Sequence, residues 1–167
     1  MKRKNVFLLV FVMIFAACSS DSDDGGSNQP PSDQPDVSQL TIWTGPILEF
    51  TKAAGADPTL PANQDRITDN VWITRADGGG QIFNAASETE ATKETSPAGT
   101  LWARGTTANI NNLTFNTFRG TLDKPKDNIG VDLVMVLVED QIALDVKITG
   151  WTQQEQGGFI YERSTME

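Results

Sequence analysis

The chain has 167 residues, with thirteen Lys and Arg against twenty-two Asp and Glu, no His and a single Cys. Without His, Ser-His-Asp and Cys-His catalysis, His-ligated zinc or haem and a His-based pH switch are all excluded. One Cys excludes an intrachain disulfide and any thiolate cluster, while 38% hydrophobic and 21% charged residues is the balance of one ordinary globular domain. What remains open is carboxylate chemistry, an oxygen-ligated cation, or binding without catalysis; no cofactor is expected.

The basic start Met1-Lys2-Arg3-Lys4-Asn5 precedes an unbroken apolar run from Val6 to Phe15. As a helix ten residues rise about 15 Å, roughly half of a bilayer core, which is too short for a permanent span. A basic region, a short apolar region and small residues before a cut site describe a secretory signal peptide, here residues 1–17. The segment Phe15-Ala16-Ala17-Cys18 resembles the lipobox of bacterial lipoproteins. That resemblance implies cleavage before Cys18 and acylation of Cys18, with palmitate among the chains. Phe15 stands where Leu or Val is usual, a departure expected to slow processing. The alternative is an unlipidated signal with a chance Cys, but the chain's only Cys sits at the one position that counts.

Removal of residues 1–17 leaves ten Lys and Arg against twenty-two Asp and Glu, a net charge of −12. Such a surface repels phosphate backbones and anionic headgroups, so no nucleic-acid partner is expected. From Ser19 to about Val37 the chain is rich in Ser, Asp, Gly and Pro with hardly an apolar residue, which predicts a disordered tether over 18–37. Its acidic Ser-Asp run resembles the export tags that carry some Gram-negative lipoproteins to the outer face. Ser19 is also not the Asp associated with inner-membrane retention. Both point to the outer membrane and favour a surface-exposed domain, with a periplasm-facing one as the alternative.

Residues 38–167 read as a single β-domain. Short runs rich in Ile, Val, Thr, Trp and Phe lie at Gln39–Trp43, Ile47–Thr51, Val71–Arg75, Gln81–Phe83, Thr100–Arg104, Asn112–Phe115 and Phe159–Glu162. Val131 to Val138 is apolar on both faces, as a central strand covered on both sides would be. Ile142, Leu144, Val146 and Ile148 alternate with Ala143, Asp145, Lys147 and Thr149, the period of a strand with one buried face. Glu139-Asp140-Gln141 between the last two predicts a hairpin. Eight or so short strands predict an all-β fold, an antiparallel, jelly-roll-like β-sandwich with at most one or two short helices. Asn84 to Lys93 allows a turn or two of helix, and the spacing of Phe115, Phe118 and Leu122 allows another. Ala53 to Arg66 is the longest stretch without β character.

Three stretches, Asn63 to Trp72, Ser96 to Ala103 and Gly157 to Thr165, resemble a recurrent domain of secreted and surface-anchored Gram-negative proteins. The likeness covers about residues 41–165. It implies a β-fold and an extracytoplasmic setting, and it transfers no catalytic residue.

Asp57, Asp65 and Asp69 with Asn63 and Asn70 offer oxygen ligands for calcium, but no dense ligand loop surrounds them. General acidity explains the same residues, and no metal site is expected. Paired carboxylates also serve glycoside hydrolysis, though any pair is cheap among twenty-two. Trp43, Trp72, Trp102 and Trp151 offer stacking platforms for sugars, against core packing as the simpler reading. Gly78-Gly79-Gly80 has no nucleotide-binding context and predicts a turn. Arg75 and Arg104 suit an anionic ligand or, more simply, local carboxylates. The functional expectation is an outer-membrane lipoprotein whose β-domain binds or adheres, to a glycan or a protein, without catalysis. The alternatives are a structural subunit of an envelope complex and a small carboxylate-dependent hydrolase; oligomeric state and ligand are not readable.

Overall fold

A computed structural model describes residues 34–154 and 156–167. The expected signal peptide, Cys18 and most of the expected tether lie outside these residues. The described chain is an all-β sandwich of two sheets, antiparallel but for one strand pair, with one short α-helix. The larger sheet is built from β1 (Thr41–Trp43), β2 (Leu48–Lys52), β6 (Thr100–Arg104), β7 (Asp132–Leu137), β8 (Ile142–Trp151) and β9 (Phe159–Arg163). Its main path runs β2-β9-β8-β7-β6, so β6 to β9 follow one another as a meander, where a jelly roll would cross between sheets. The smaller sheet is β3 (Asp65–Arg66), β4 (Trp72–Ala76) and β5 (Gly79–Asn84), in that order.

The apolar run at 131–138 has the expected physical cause. Leu133, Val134, Met135, Val136 and Leu137 of β7 are all fully buried, and they divide between two clusters. Leu133, Met135 and Leu137 meet Ile67, Val71, Ile73 and Ile82 in the core shared with the smaller sheet. Val134 and Val136 face the other way, onto Ile110, Phe115 and the segment from Val37 to Ile42. A strand covered on both faces has no solvent side on which to place polar residues. Strand β8 instead alternates, with Leu144, Val146 and Ile148 buried and Lys147 and Thr149 more open.

The hairpin between β7 and β8 forms without Asn-Gly because Gln141 itself adopts a left-handed φ of 53°. Within the Gly run the turn lies at Asp77-Gly78, one residue earlier than expected. Gly79 (φ 107°) and Gly80 (φ 79°) already belong to β5, where the register shifts opposite Arg75 and Ala76. One pairing is parallel: β1 lies beside Ile142 to Leu144 of β8. Strand β9 pairs with β8 only from Val146 to Trp151, and β1 covers the half of that edge β9 leaves open.

The helical expectations divide. Phe118–Leu122 is an α-helix (α1), with the Thr117 hydroxyl accepting from the Gly120 N–H at 2.9 Å. Phe118 and Leu122 drive its inner face into the core. Asn84 to Lys93 forms turns and no helix, because the Glu88 carboxylate accepts from the backbone N–H groups of Asn84 (2.7 Å) and Ala98 (2.9 Å), folding the segment across itself. The strand expected at Asn112–Phe115 is also absent. Residues Thr107–Asn112 form 3-10 turns that bury Ile110, and only Asn116 bridges to Trp102. Contacts of the domain begin before Ser38: the Gln34 side-chain amide takes up both backbone groups of Phe115 at 2.7 Å, as a strand would. Among the described residues no helix is long and apolar enough to cross a membrane.

Candidate functional site

The strongest polar feature joins the two sheets. Asp65 on β3 receives a bidentate ion pair from Arg163 on β9, Nε to Oδ2 at 2.6 Å and Nη2 to Oδ1 at 2.9 Å. The Tyr161 hydroxyl donates a very short hydrogen bond to the same Oδ2. All three residues are buried. The residue earlier considered for calcium is therefore consumed by a clamp between sheets. Burial disfavours the Arg163 charge, but the hydrogen bond and charge of Asp65 more than offset it and raise its pKa. Burial and the neighbouring Asp65 charge hold the Tyr161 phenol well above its ordinary 10.0.

This gives a clean prediction, because Tyr161 is the chain's only tyrosine. The folded state keeps a proton that the unfolded state releases near pH 10, so stability is unaffected below pH 10 and falls as pH rises above it. In an alkaline titration, tyrosinate absorbance should appear only together with loss of the far-ultraviolet β signal. Tyrosinate forming near its ordinary pKa in still-folded protein would show the phenol is not sealed.

At one end of the sandwich two further cations are buried among carbonyls. Lys52 Nζ donates to Ala56 O (2.7 Å) and Gly157 O (3.3 Å). Arg75 donates from Nε to Gly80 O (2.8 Å) and from Nη1 to Thr152 O (3.1 Å) and Gly158 O (2.7 Å), with its guanidinium 4.0 Å from the centroid of Trp151. Burial pushes Arg75 down to about 10 and also lowers Lys52, against the partly offsetting charge of Asp77. The expected carboxylate partners are corrected here. Arg75 bonds backbone carbonyls, and Arg104 bonds Thr121 O (3.0 Å) and Asn128 Oδ1 (2.5 Å). Both arginines stitch loops to strands.

The open polar surface lies at the turns after β3 and β7. Asp140 in the β7–β8 hairpin accepts from Thr68 Oγ1 (2.8 Å) and Asn70 Nδ2 (2.9 Å), tying the two turns together. Thr68 O receives the Trp72 indole N–H at 3.0 Å, and the Arg66 guanidinium sits 4.1 Å from the centroid of the Trp72 ring. Beneath them the buried Asn84 side chain is fully used. Its oxygen accepts from the N–H groups of Trp72 (2.8 Å) and Ala86 (3.1 Å), and its nitrogen donates to Asn70 O (2.7 Å) and Ala98 O (2.9 Å). Two adjoining concavities result, of about 210 and 540 Å³, sharing Asp69 and Asn70. Glu139 lines the first; Arg66, Trp72 and Asp140 line the second.

The calcium set does not assemble. Asp57 Oδ1 accepts from the Thr59 N–H (2.8 Å) and hydroxyl (2.7 Å), which holds its pKa below the ordinary value. Asn63 Nδ2 donates to Asp57 O, Asp65 faces Arg163, and Asp69 stands exposed in the cleft. Among the described residues no three carboxylates converge as a metal site would require. Of the tryptophans, Trp102 is core, while Trp43, Trp72 and Trp151 are half-buried. The cleft residues Thr68, Asn84 and Asp140 escaped sequence reasoning because their roles depend on contacts up to 72 positions apart. Two of the three stretches that carry the resemblance, Asn63–Trp72 and Gly157–Thr165, meet in the Asp65 clamp. No family model, curated protein or solved structure matches the chain.

Proposed function

We propose that the protein is an outer-membrane lipoprotein, anchored through Cys18, whose sandwich is a surface-exposed, non-catalytic binding or adhesion module. The observation that carries this reading is the cleft at the 68–70 and 139–140 turns. Its walls are held by their own hydrogen bonds, and its polar groups converge beside a half-buried Trp, the composition of a pre-formed ligand site. Support also comes from how the carboxylates are used. Asp57, Asp65, Glu88, Asp140 and Asp145 all accept hydrogen bonds that fix loops or join sheets. Such groups are committed to the ground-state fold, whereas a general acid and base must be free to exchange protons with a substrate. The Asp69 and Glu139 carboxylates suit a hydroxylated, uncharged ligand such as a neutral glycan.

The anchor and the module are tested separately. Labelled palmitate should enter the wild-type protein and not Cys18→Ala, and protease added to intact cells should clip the segment Ser19–Val37. Absence of label removes the anchor; protection from protease withdraws the surface claim. A glycan array probed with the full chain should show a ligand whose affinity falls about tenfold in Asn70→Ala, the loss of one or two well-placed hydrogen bonds. An array without any ligand would remove the module.

A further inference from the structure

The positive charge of this acidic protein is concentrated in one place. From residue 18 onward the chain has only ten Lys and Arg. Three of these, Lys52, Arg75 and Arg163, are buried. Of the seven others, Lys93, Arg119, Lys124 and Lys126 line a single concavity of about 310 Å³, together with Gln81 and Trp151. The four cations come from three separate segments: the loop after β5, α1, and the 3-10 turn at Pro125–Asp127 with Lys124 just before it. None donates a side-chain hydrogen bond to another described residue. Their nearest carboxylates, Glu94 (3.8 Å from Lys93), Asp123 (3.6 Å from Arg119) and Asp127 (3.9 Å from Lys126), stand outside the wall and are exposed. Pairs of that length at the surface contribute little, so the cationic heads stay available.

The back of the concavity is aromatic and itself electropositive. Trp151 is held by Phe118 and Phe159 at ring distances of 6.4 and 6.1 Å, with the buried Arg75 guanidinium against its ring. Gln81 is 7% exposed and donates through Nε2 to Lys93 O, which ties the basic loop to β5. Its Oε1 is the one buried side-chain polar atom left without a partner among the described residues.

We propose that this concavity is a second ligand site, distinct from the polar cleft, and that it takes an acidic saccharide: a sugar unit bearing carboxylate or sulfate. Four cations in a chain of net charge −12 from residue 18 onward point to an anion. The Trp151 wall points to a ligand with an apolar ring face as well as a charge, which separates a saccharide from a bare inorganic anion. The volume fits one or two sugar rings. Lys and Arg heads engage the acid group, and the ring lies against the indole.

The test uses the full-length chain in neutral detergent, titrated with a polygalacturonate oligomer and a sulfated disaccharide, and with neutral dextran oligomers of equal length. Saturable binding of the acidic sugars alone is expected. It should weaken about tenfold in Lys124→Gln/Lys126→Gln and fall steeply as salt is raised, as the loss of two charge contacts requires. Those two lysines are exposed, so the variant folds; Lys147→Gln, which removes a charge elsewhere, should bind as wild type. Trp151→Phe should weaken the saccharide without changing competition by sulfate. Unchanged affinity in the double variant overturns the site. Inorganic sulfate competing as strongly as the saccharide overturns the saccharide and leaves an anion site. Binding to anionic phospholipid vesicles but to no sugar assigns the wall to a membrane surface instead. A neutral glycan lost in Asn70→Ala but retained in Lys124→Gln/Lys126→Gln leaves the cleft reading standing even where this one fails.

Discussion

Asp65→Ala should lower the unfolding free energy by about 3–5 kcal/mol, the usual cost of leaving the partner of a buried ion pair uncompensated. The variant leaves the Arg163 guanidinium buried with one remaining hydrogen bond, to Ser164 O at 3.3 Å, and the Tyr161 hydroxyl without an acceptor. Two sheets lose their only buried charge contact among the described residues. The loss should not be read as the worth of the clamp. Desolvating Asp65 and Arg163 costs much of what their attraction returns, and a shape-matched apolar replacement is often neutral. Asp65→Leu/Tyr161→Phe/Arg163→Met should therefore be far more stable than Asp65→Ala. Urea unfolding followed by circular dichroism measures both. A single-variant loss below about 1 kcal/mol would show that water reaches the guanidinium, and a triple variant no better than the single would show that the clamp specifies the sheet packing.

That clamp also marks where sequence reasoning stops. Strands β7 and β8 were legible because each carries its own signal, a two-faced apolar run or alternation, within six to ten residues. Strands β6 and β9 stood out by their Thr, Trp, Phe and Ile content beside Pro97 and Gly157-Gly158. The α1 helix was legible from the spacing of Phe118 and Leu122. Strand β3 was not, since two residues held by one edge of β4 carry no period. The strand expected at Asn112–Phe115 rested on the apolar Leu113 and Phe115, but the stretch follows 3-10 turns over Thr107–Asn112. What decides their conformation is the Thr107 N–H and hydroxyl binding Asp145, 38 positions away, at 2.7 and 2.9 Å. Site chemistry follows the same rule. Asp65 was visible as an acid, but whether it holds calcium, a proton or Arg163 depends on a residue 98 positions away. The basic concavity was invisible for a related reason: its four cations are scattered between residues 93 and 126, and no local run of charge announces them.

Phe118→Ala should be the other severe variant, at about 3–5 kcal/mol, the range for removing a buried aromatic ring without refilling its space. Phe118 is fully buried, meets Trp102 edge-on at 4.9 Å, and lies 6.4 Å from Trp151. It projects from a helix of only five residues, too short to persist on its own propensity, so α1 exists because this ring and Leu122 are docked. The N-terminal side adds only the Thr117 cap and the Ser96 hydroxyl, which accepts from the Phe118 N–H at 2.9 Å. Losing the ring should therefore release the helix as well as open a cavity. Trp102 fluorescence should shift to the red before the β signal is lost, because water gains access to the indole while the sheets still pair. Phe118→Leu keeps most of the volume and should cost roughly 1–2 kcal/mol with no early shift. If the alanine variant melts in one step with the wild-type Trp spectrum preserved until then, α1 is held by its caps rather than by its ring. In that case Ser96→Ala, not Phe118→Ala, would be the variant that frees it.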